Sequence, residues 1–294
     1  MIEIRKAERK KAKLRIGMSG PSGSGKTYSS LRLARELASD WPKIVIIDTE
    51  NGSADLYSHL GDYNVLTLKA PFTSERYIEM IKACEAAGME VVIIDSASHE
   101  HEAEGGSLET NEKLAQAKFK GNSWSAWSET GARHRKFLEA IISSPCHIIS
   151  TLRSKTETVM TEDKKVKKVG MKDIQREGFE YEMTLMFNLD RDTHTAVASK
   201  DRTELFIDVD PFVINEETGK KLKAWAESGK DEKIVLIESI KARMIELGKT
   251  PTPKSDKYLD GKNFEELKKL DEQYKKDVIE KREKDAIPVI PKKK

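Results

Sequence analysis

Residues 20–27 read Gly-Pro-Ser-Gly-Ser-Gly-Lys-Thr, and this spacing of glycines, a lysine and a hydroxyl points to phosphate chemistry. Gly20, Gly23 and Gly25 let the backbone curl with its N–H groups turned inward onto phosphate oxygens. Lys26 adds a point charge at the β and γ phosphates, and Thr27 adds a hydroxyl ligand for Mg²⁺. The expected cofactors are therefore ATP and Mg²⁺, and the expected loop comprises Gly20, Pro21, Ser22, Gly23, Ser24, Gly25, Lys26, Thr27 and the adjoining Tyr28. A second reactive group, Asp95, closes the apolar run Val91-Val92-Ile93-Ile94. There its carboxylate can share a magnesium ion with Thr27, or can simply cap the next segment. A third, Glu50, lies just past the apolar run Ile44-Val45-Ile46-Ile47 and Asp48. Near the same rim it is the candidate general base for water attacking the γ phosphate, the alternative being a solvated loop acid.

Such groups need strand ends to carry them. Leu14 to Ser19 can form a short buried strand, and Tyr28 to Ala38 has Leu31, Leu33, Ala34 and Leu37 at helical spacing. Further strand-like runs, Lys43 to Asp48, Val91 to Asp95 and His147 to Thr151, alternate with amphipathic helices. That pattern predicts an α/β core with a mainly parallel sheet covered on both faces. Met183 to Leu189 and Thr195 to Ser199 are separated by only Asp190-Arg191-Asp192-Thr193-His194, which predicts an antiparallel hairpin at the end of the sheet. Residues 1–225 form the expected core and 226–294 a helical appendage, with helices over 232–247 and 264–279, a linker at 250–255 and a basic tail without fixed structure. The appendage either docks on the core or recruits another protein.

Lys and Arg number 52 against 50 Asp and Glu, so no global field draws nucleic acid to the chain and any such site must be local. No apolar run approaches membrane-spanning length, and Met1-Ile2-Glu3-Ile4-Arg5 lacks the apolar stretch of a secretory signal. With two cysteines expected as buried thiols, Cys84 and Cys146, a cytoplasmic location without a membrane partner is the expectation.

Locally basic segments do occur. Arg153, Lys155, Lys164, Lys165, Lys167, Lys168, Lys172 and Arg176 lie along 152–176, where 156–171 reads as a hairpin able to track a phosphate backbone without sequence preference. In 118–136, Phe119, Trp124 and Trp127 alternate with cations, so bases could stack there. Tryptophans three apart, followed by Phe137, Ile141 and Ile142, fit a core-facing helix better. His99-Glu100-His101-Glu102 is read as a loop or extended segment whose alternating side chains point opposite ways, which argues against zinc. The following segment, 103–123, contains Gly105, Gly106 and Gly121 and reads as mobile.

Together the phosphate loop, Asp48-Thr49-Glu50 and Asp95-Ser96 resemble the RecA-type ATPase core of recombinases, RadA-like proteins and DnaB-type ring helicases. The resemblance implies a RecA-like P-loop NTPase fold in which Glu50 activates water and Asp95 belongs to the metal site. It further implies that Ile148-Ile149-Ser150-Thr151-Leu152-Arg153-Ser154-Lys155 carries the γ-phosphate sensor, Thr151 standing where recombinases usually have glutamine, into the second DNA loop. Val197-Ala198-Ser199-Lys200-Asp201-Arg202 is similar to the strand-end Lys-x-Arg of ring-forming members. Lys200 and Arg202 would then reach a neighbour's triphosphate in a homo-oligomeric ring or filament. Over residues 10–212 the chain also resembles short phage- and prophage-encoded RecA-core ATPases, including the Sak-type single-strand annealing proteins. Arg9-Lys10-Lys11-Ala12-Lys13-Leu14 and Ser144-Pro145-Cys146-His147 carry that likeness. It implies DNA-stimulated ATP hydrolysis, single-stranded DNA binding, annealing or strand pairing in a bacterial host, and cooperation with a single-strand-binding protein. The competing expectation is a KaiC-like, nucleotide-driven assembly or regulatory switch that binds no DNA.

Overall fold

The structure is a computed structural model and describes residue 7, residues 9–160 and residues 166–285. Its strands are β1 (Arg15–Gly20), β2 (Ile44–Asp48), β3 (Asn64–Thr67), β4 (Val91–Asp95), β5 (His147–Met160), β6 (Val166–Asp173), β7 (Leu185–Leu189) and β8 (Ala196–Asp201). The α-helices are α1 (Lys26–Leu37), α2 (Ser74–Ala86), α3 (Ser98–Glu102), α4 (Ser107–Lys118), α5 (Ser123–Ser143), α6 (Phe179–Glu182), α7 (Glu216–Glu227), α8 (Glu232–Glu246), α9 (Pro253–Asp260) and α10 (Phe264–Asp285). The sheet order is β3-β2-β4-β5-β1-β7-β8, with β6 pairing β5 off that path. Pairing is parallel from β3 through β7 and antiparallel for β7–β8 and β5–β6. This is the expected α/β P-loop NTPase fold. β3 escaped the sequence reading because its residues are only exposed or half-buried and carry no apolar run.

Period-two alternation divides the central strands between two cores. Ile44, Ile46, Val91 and Ile93 face one side, where Leu31, Leu33, Ala34 and Leu37 of α1 cover them. Val45, Ile47, Val92 and Ile94 face the other, against Tyr77 and Ile81 of α2 and Phe137 and Ile141 of α5. Burying both faces explains why the strands read as unbroken apolar runs. β5 lies between β1 and β4, so the phosphate-loop strand and the strand ending in Asp95 are separated by a single strand. A side chain on β5 can therefore touch both.

Lys13–Ala226 forms one compact unit, and residues 9–12 group with 227–285 in a second. In that second unit the Lys11 N–H donates to the Lys230 carbonyl at 2.9 Å and the Lys230 N–H to the Arg9 carbonyl at 2.9 Å. This long-range backbone pairing sets the N-terminal stretch apart from the 1–225 span expected of the core. Ile237, Ile240, Leu259 and Leu267 make the small core of its helices. Within the expected linker at 250–255, α9 already begins at Pro253. Thr252 caps it, its hydroxyl accepting from the Ser255 N–H at 3.3 Å while Ser255 Oγ accepts from the Thr252 N–H at 2.8 Å. The tail expected from 288 onward lies outside the described residues. Two local readings are also corrected: 99–102 lies in helix α3, and most of 103–123 is helix α4. Among the described residues no helix is long and apolar enough to cross a membrane.

Candidate nucleotide-binding site

After β1 the chain turns through Gly23 (φ 81°) and Gly25 (φ 89°), left-handed conformations that glycine adopts without steric cost. α1 then begins at Lys26 with no side-chain cap and no acid in its first turn, leaving its first N–H groups for an anion. Ser24 Oγ is buried without a partner among the described residues, a donor that a phosphate oxygen would satisfy. The Lys26 ammonium folds back onto the carbonyls of Gly20 and Pro21, both at 2.9 Å. Burial pulls its pKa below the ordinary lysine value, with Asp95 and Glu50 acting in the opposite direction.

Asp95 stands at the end of β4, buried. The Thr27 hydroxyl donates to its Oδ2 at 2.6 Å, and the Thr151 hydroxyl, from β5, donates to its Oδ1 at 2.6 Å. Burial raises the Asp95 pKa and these two donors counter it. Thr27 and Asp95 thus present adjoining hard oxygen donors, the set Mg²⁺ takes directly or through water. With the uncapped loop and the orphaned Ser24 hydroxyl, the residues present fit a magnesium-bound triphosphate.

Glu50 is placed by the turn that follows β2. The buried Asp48 accepts from the Glu50 N–H at 2.7 Å and the Gly52 N–H at 2.8 Å, so its role is to shape this loop. Thr49 ties the loop to β4 by accepting from the Ser96 N–H at 2.8 Å. Arg153 Nε donates to Glu50 Oε1 at 3.0 Å, and Nη2 lies 3.0 Å from the same oxygen in an ion pair. Lys26, Thr27, Glu50, Asp95 and Arg153 line a single pocket of about 520 Å³ together with Ser22, Gly23 and Gly25.

Sequence reasoning missed six residues on that wall, Ser53, Leu56, Tyr57, Glu102, Ser154 and Ile174. Tyr57 sits in the 3-10 segment Ser53–Leu60, with its ring 6.0 Å from that of Tyr28. An aromatic in a polar stretch just beyond Glu50 was the available signal. The neighbouring His99-Glu100-His101 run belongs to the packing behind the pocket. His99 Nδ1 meets Thr49 Oγ1 at 2.7 Å, and the buried Glu100 accepts from Ser74 Oγ at 2.5 Å and Ser107 Oγ at 3.0 Å and contacts His134 Nδ1 at 3.1 Å.

Other expected site residues lie elsewhere. Lys200 donates to the carbonyls of Glu180 (2.7 Å) and Tyr181 (2.6 Å), and Arg202 to that of Tyr181 (2.7 Å), and neither lines the pocket of its own chain. Arg153, expected on the nucleic-acid arm, is instead committed to Glu50, because the inward phase of β5 at that position faces the nucleotide pocket. Arg176, expected on the same arm, stacks over Trp127 at 4.8 Å from the ring centroid. Lys155 is exposed at the base of the β5–β6 hairpin and sits directly across from Lys172 in the ladder. Lys167 and Lys168 pair by backbone with Val159 and Thr158, and their side chains lie outside the described residues, as do Lys164 and Lys165 entirely.

Against this geometry, a family model described as AAA domain matches residues 12–240. The chain belongs to the AAA domain family. It carries a P-loop ATPase-type domain, and nucleotide binding is the property that this membership and the loop geometry share. A search of curated proteins found no match to the chain.

Proposed function

We propose that this AAA-domain protein is a Mg²⁺-dependent ATPase that binds single-stranded DNA and assists annealing or strand pairing, in the manner of the phage Sak-type proteins it resembles. One observation carries the reading: β5 is a single uninterrupted strand from the nucleotide pocket into a basic hairpin. Thr151 on it donates to Asp95, Arg153 two residues on holds Glu50, and Lys155 two residues further faces Lys172 across the ladder. Like charges directly opposite on a sheet repel, and a polyanion lying along the hairpin removes that cost. Strand DNA on the hairpin and nucleotide in the pocket would then act on one continuous strand.

In this mechanism the uncapped α1 terminus and Lys26 would hold the β and γ phosphates, while Thr27 and Asp95 would hold the metal. When bound, Mg²⁺ neutralises charge developing across the β and γ oxygens. Glu50, once released from Arg153, takes a proton from the attacking water, and Thr151 fixes the Asp95 carboxylate that the metal needs. Lys200 and Arg202, already held together against the Tyr181 carbonyl, would serve a neighbouring subunit's triphosphate in a homo-oligomer.

The test is phosphate release with and without single-stranded DNA, for the intact protein and for a variant with Lys155, Lys167, Lys168 and Lys172 changed to Gln. Stimulation by DNA that the variant loses, with its DNA-free rate kept, supports the reading. Hydrolysis indifferent to DNA, with no measurable DNA binding, would leave the nucleotide-driven switch as the function.

A further inference from the structure

The first turn of α5 and the segment following β6 enclose a second pocket of about 1000 Å³ within the core unit. The spacing of the tryptophans with Phe137, Ile141 and Ile142 predicts a core-facing helix, and α5 does bury Phe137 and Ile141, but its tryptophans point away from that core. α5 buries Ala126, Thr130, His134, Phe137 and Ile141, so Trp124 is left 87% exposed and Trp127 half-buried. Both line the pocket with Phe119. Single exposed apolar residues are common on protein surfaces, but this group is built into a concave site.

Three further features bear on what the pocket takes. The Arg176 guanidinium lies over the Trp127 ring at 4.8 Å, and Gly131 leaves room for it, since a Cβ at that position would stand 2.7 Å from Arg176 Nη1. His101 lines the pocket, and its Nδ1 is shielded from solvent without a hydrogen-bond partner among the described residues. Lys172 belongs both to the pocket and to the basic hairpin, where it contacts Glu177 at 3.6 Å. An aliphatic occupant would cover the indoles and leave the His101 Nδ1 desolvated without a partner. A flat heterocycle with polar edges and an attached phosphate satisfies both the aromatic faces and the polar groups.

We propose that this pocket receives an unstacked base of single-stranded nucleic acid, held on Trp124 and the Trp127–Arg176 pair, while the hairpin follows the phosphates. The inference rests on the single-strand reading above. It assigns base contact to a pocket that adjoins the basic arm at Lys172, and so separates a stacking contribution, insensitive to salt, from a phosphate contribution that salt weakens.

The experiment is fluorescence anisotropy of the full chain with a labelled thymidine oligonucleotide and with an abasic strand of equal length. Trp124 is so exposed that Trp124→Ala leaves the packing of α5 intact. The expected result is a Kd for the thymidine strand weakened roughly 5- to 100-fold in Trp124→Ala, largely restored in Trp124→Phe, with the slope of log Kd against log salt unchanged. The abasic strand should bind the intact protein and Trp124→Ala alike. Strong thymidine binding that neither Trp124→Ala nor Trp127→Ala weakens overturns the pocket assignment while leaving the single-strand reading standing. So does an oligomer that dissociates in Trp124→Ala with DNA affinity unchanged, which would mark the indoles as a contact between copies of the chain. Absence of any binding by the intact protein overturns both.

Discussion

Replacing Arg153 by Ala tests whether the proposed base is restrained in the nucleotide-free protein. Arg153 donates from Nε to one oxygen of Glu50 at 3.0 Å, with Nη2 also 3.0 Å from that oxygen. Both side chains still meet water, at 41% and 29% exposure, so the pair contributes about 0.5–1 kcal/mol and not the several expected of a fully buried pair. If Glu50 must leave Arg153 to accept a proton from water, that interaction adds to the barrier. Removing it should raise the DNA-free rate by roughly 2- to 5-fold. The ratio of DNA-stimulated to DNA-free rate should shrink by the same factor, since the strand then has no restraint left to release. Steady-state phosphate release at saturating ATP and Mg²⁺ measures both, with Glu50→Gln as the inactive control. A DNA-free rate that falls, or one that is unchanged with full stimulation, would refute the restraint and indicate that Arg153 acts on the phosphates instead.

Thr151→Val keeps the shape of the side chain and removes the 2.6 Å donor to Asp95, leaving a buried carboxylate oxygen underpaired. A loss of about 1–3 kcal/mol is expected, visible as a lower Tm in calorimetry and as slower hydrolysis. Asp95 has a pKa raised by burial, so its folded value exceeds its unfolded one. The stability that this difference contributes is complete below the unfolded pKa and is lost as pH rises through the folded pKa. Nucleotide-free Asp95→Asn should therefore melt above the intact protein at neutral pH, with the gap closing on acidification toward about pH 4, and should lose stabilisation by Mg²⁺ and nucleotide. Tyr57→Ala, which strips one ring from the pocket wall, should weaken nucleotide binding by roughly 2- to 10-fold in isothermal titration, and an unaltered Kd would remove Tyr57 from the site.

The phosphate loop was legible because it is a backbone structure written in eight consecutive residues, where glycine conformation and an uncapped helix start are local properties. The placement of Asp95 and Glu50 at the sheet rim was legible for a related reason: a strand buried on both faces reads as an apolar run, and its polar end marks the rim. Thr151 could be aligned with a sensor position, but its contact with Asp95 depends on β5 lying between β1 and β4. Tyr57 was missed because it approaches the loop through a turn whose course is set by Asp48 and not by periodicity.

What the sequence determined by itself, then, was the phosphate-loop motif and the alternation of strands and helices that carries it. The tertiary structure alone decided which face of α5 is buried, that Arg153 turns inward to Glu50 while Arg176 stacks on Trp127, and that the residues around Lys10 pair beside Lys230. Helical spacing gives the angle between side chains but not which side meets the core, and an arginine's partner is chosen by whatever acid or ring the fold brings within reach. Those choices depend on contacts between residues far apart in the chain, which no local pattern encodes.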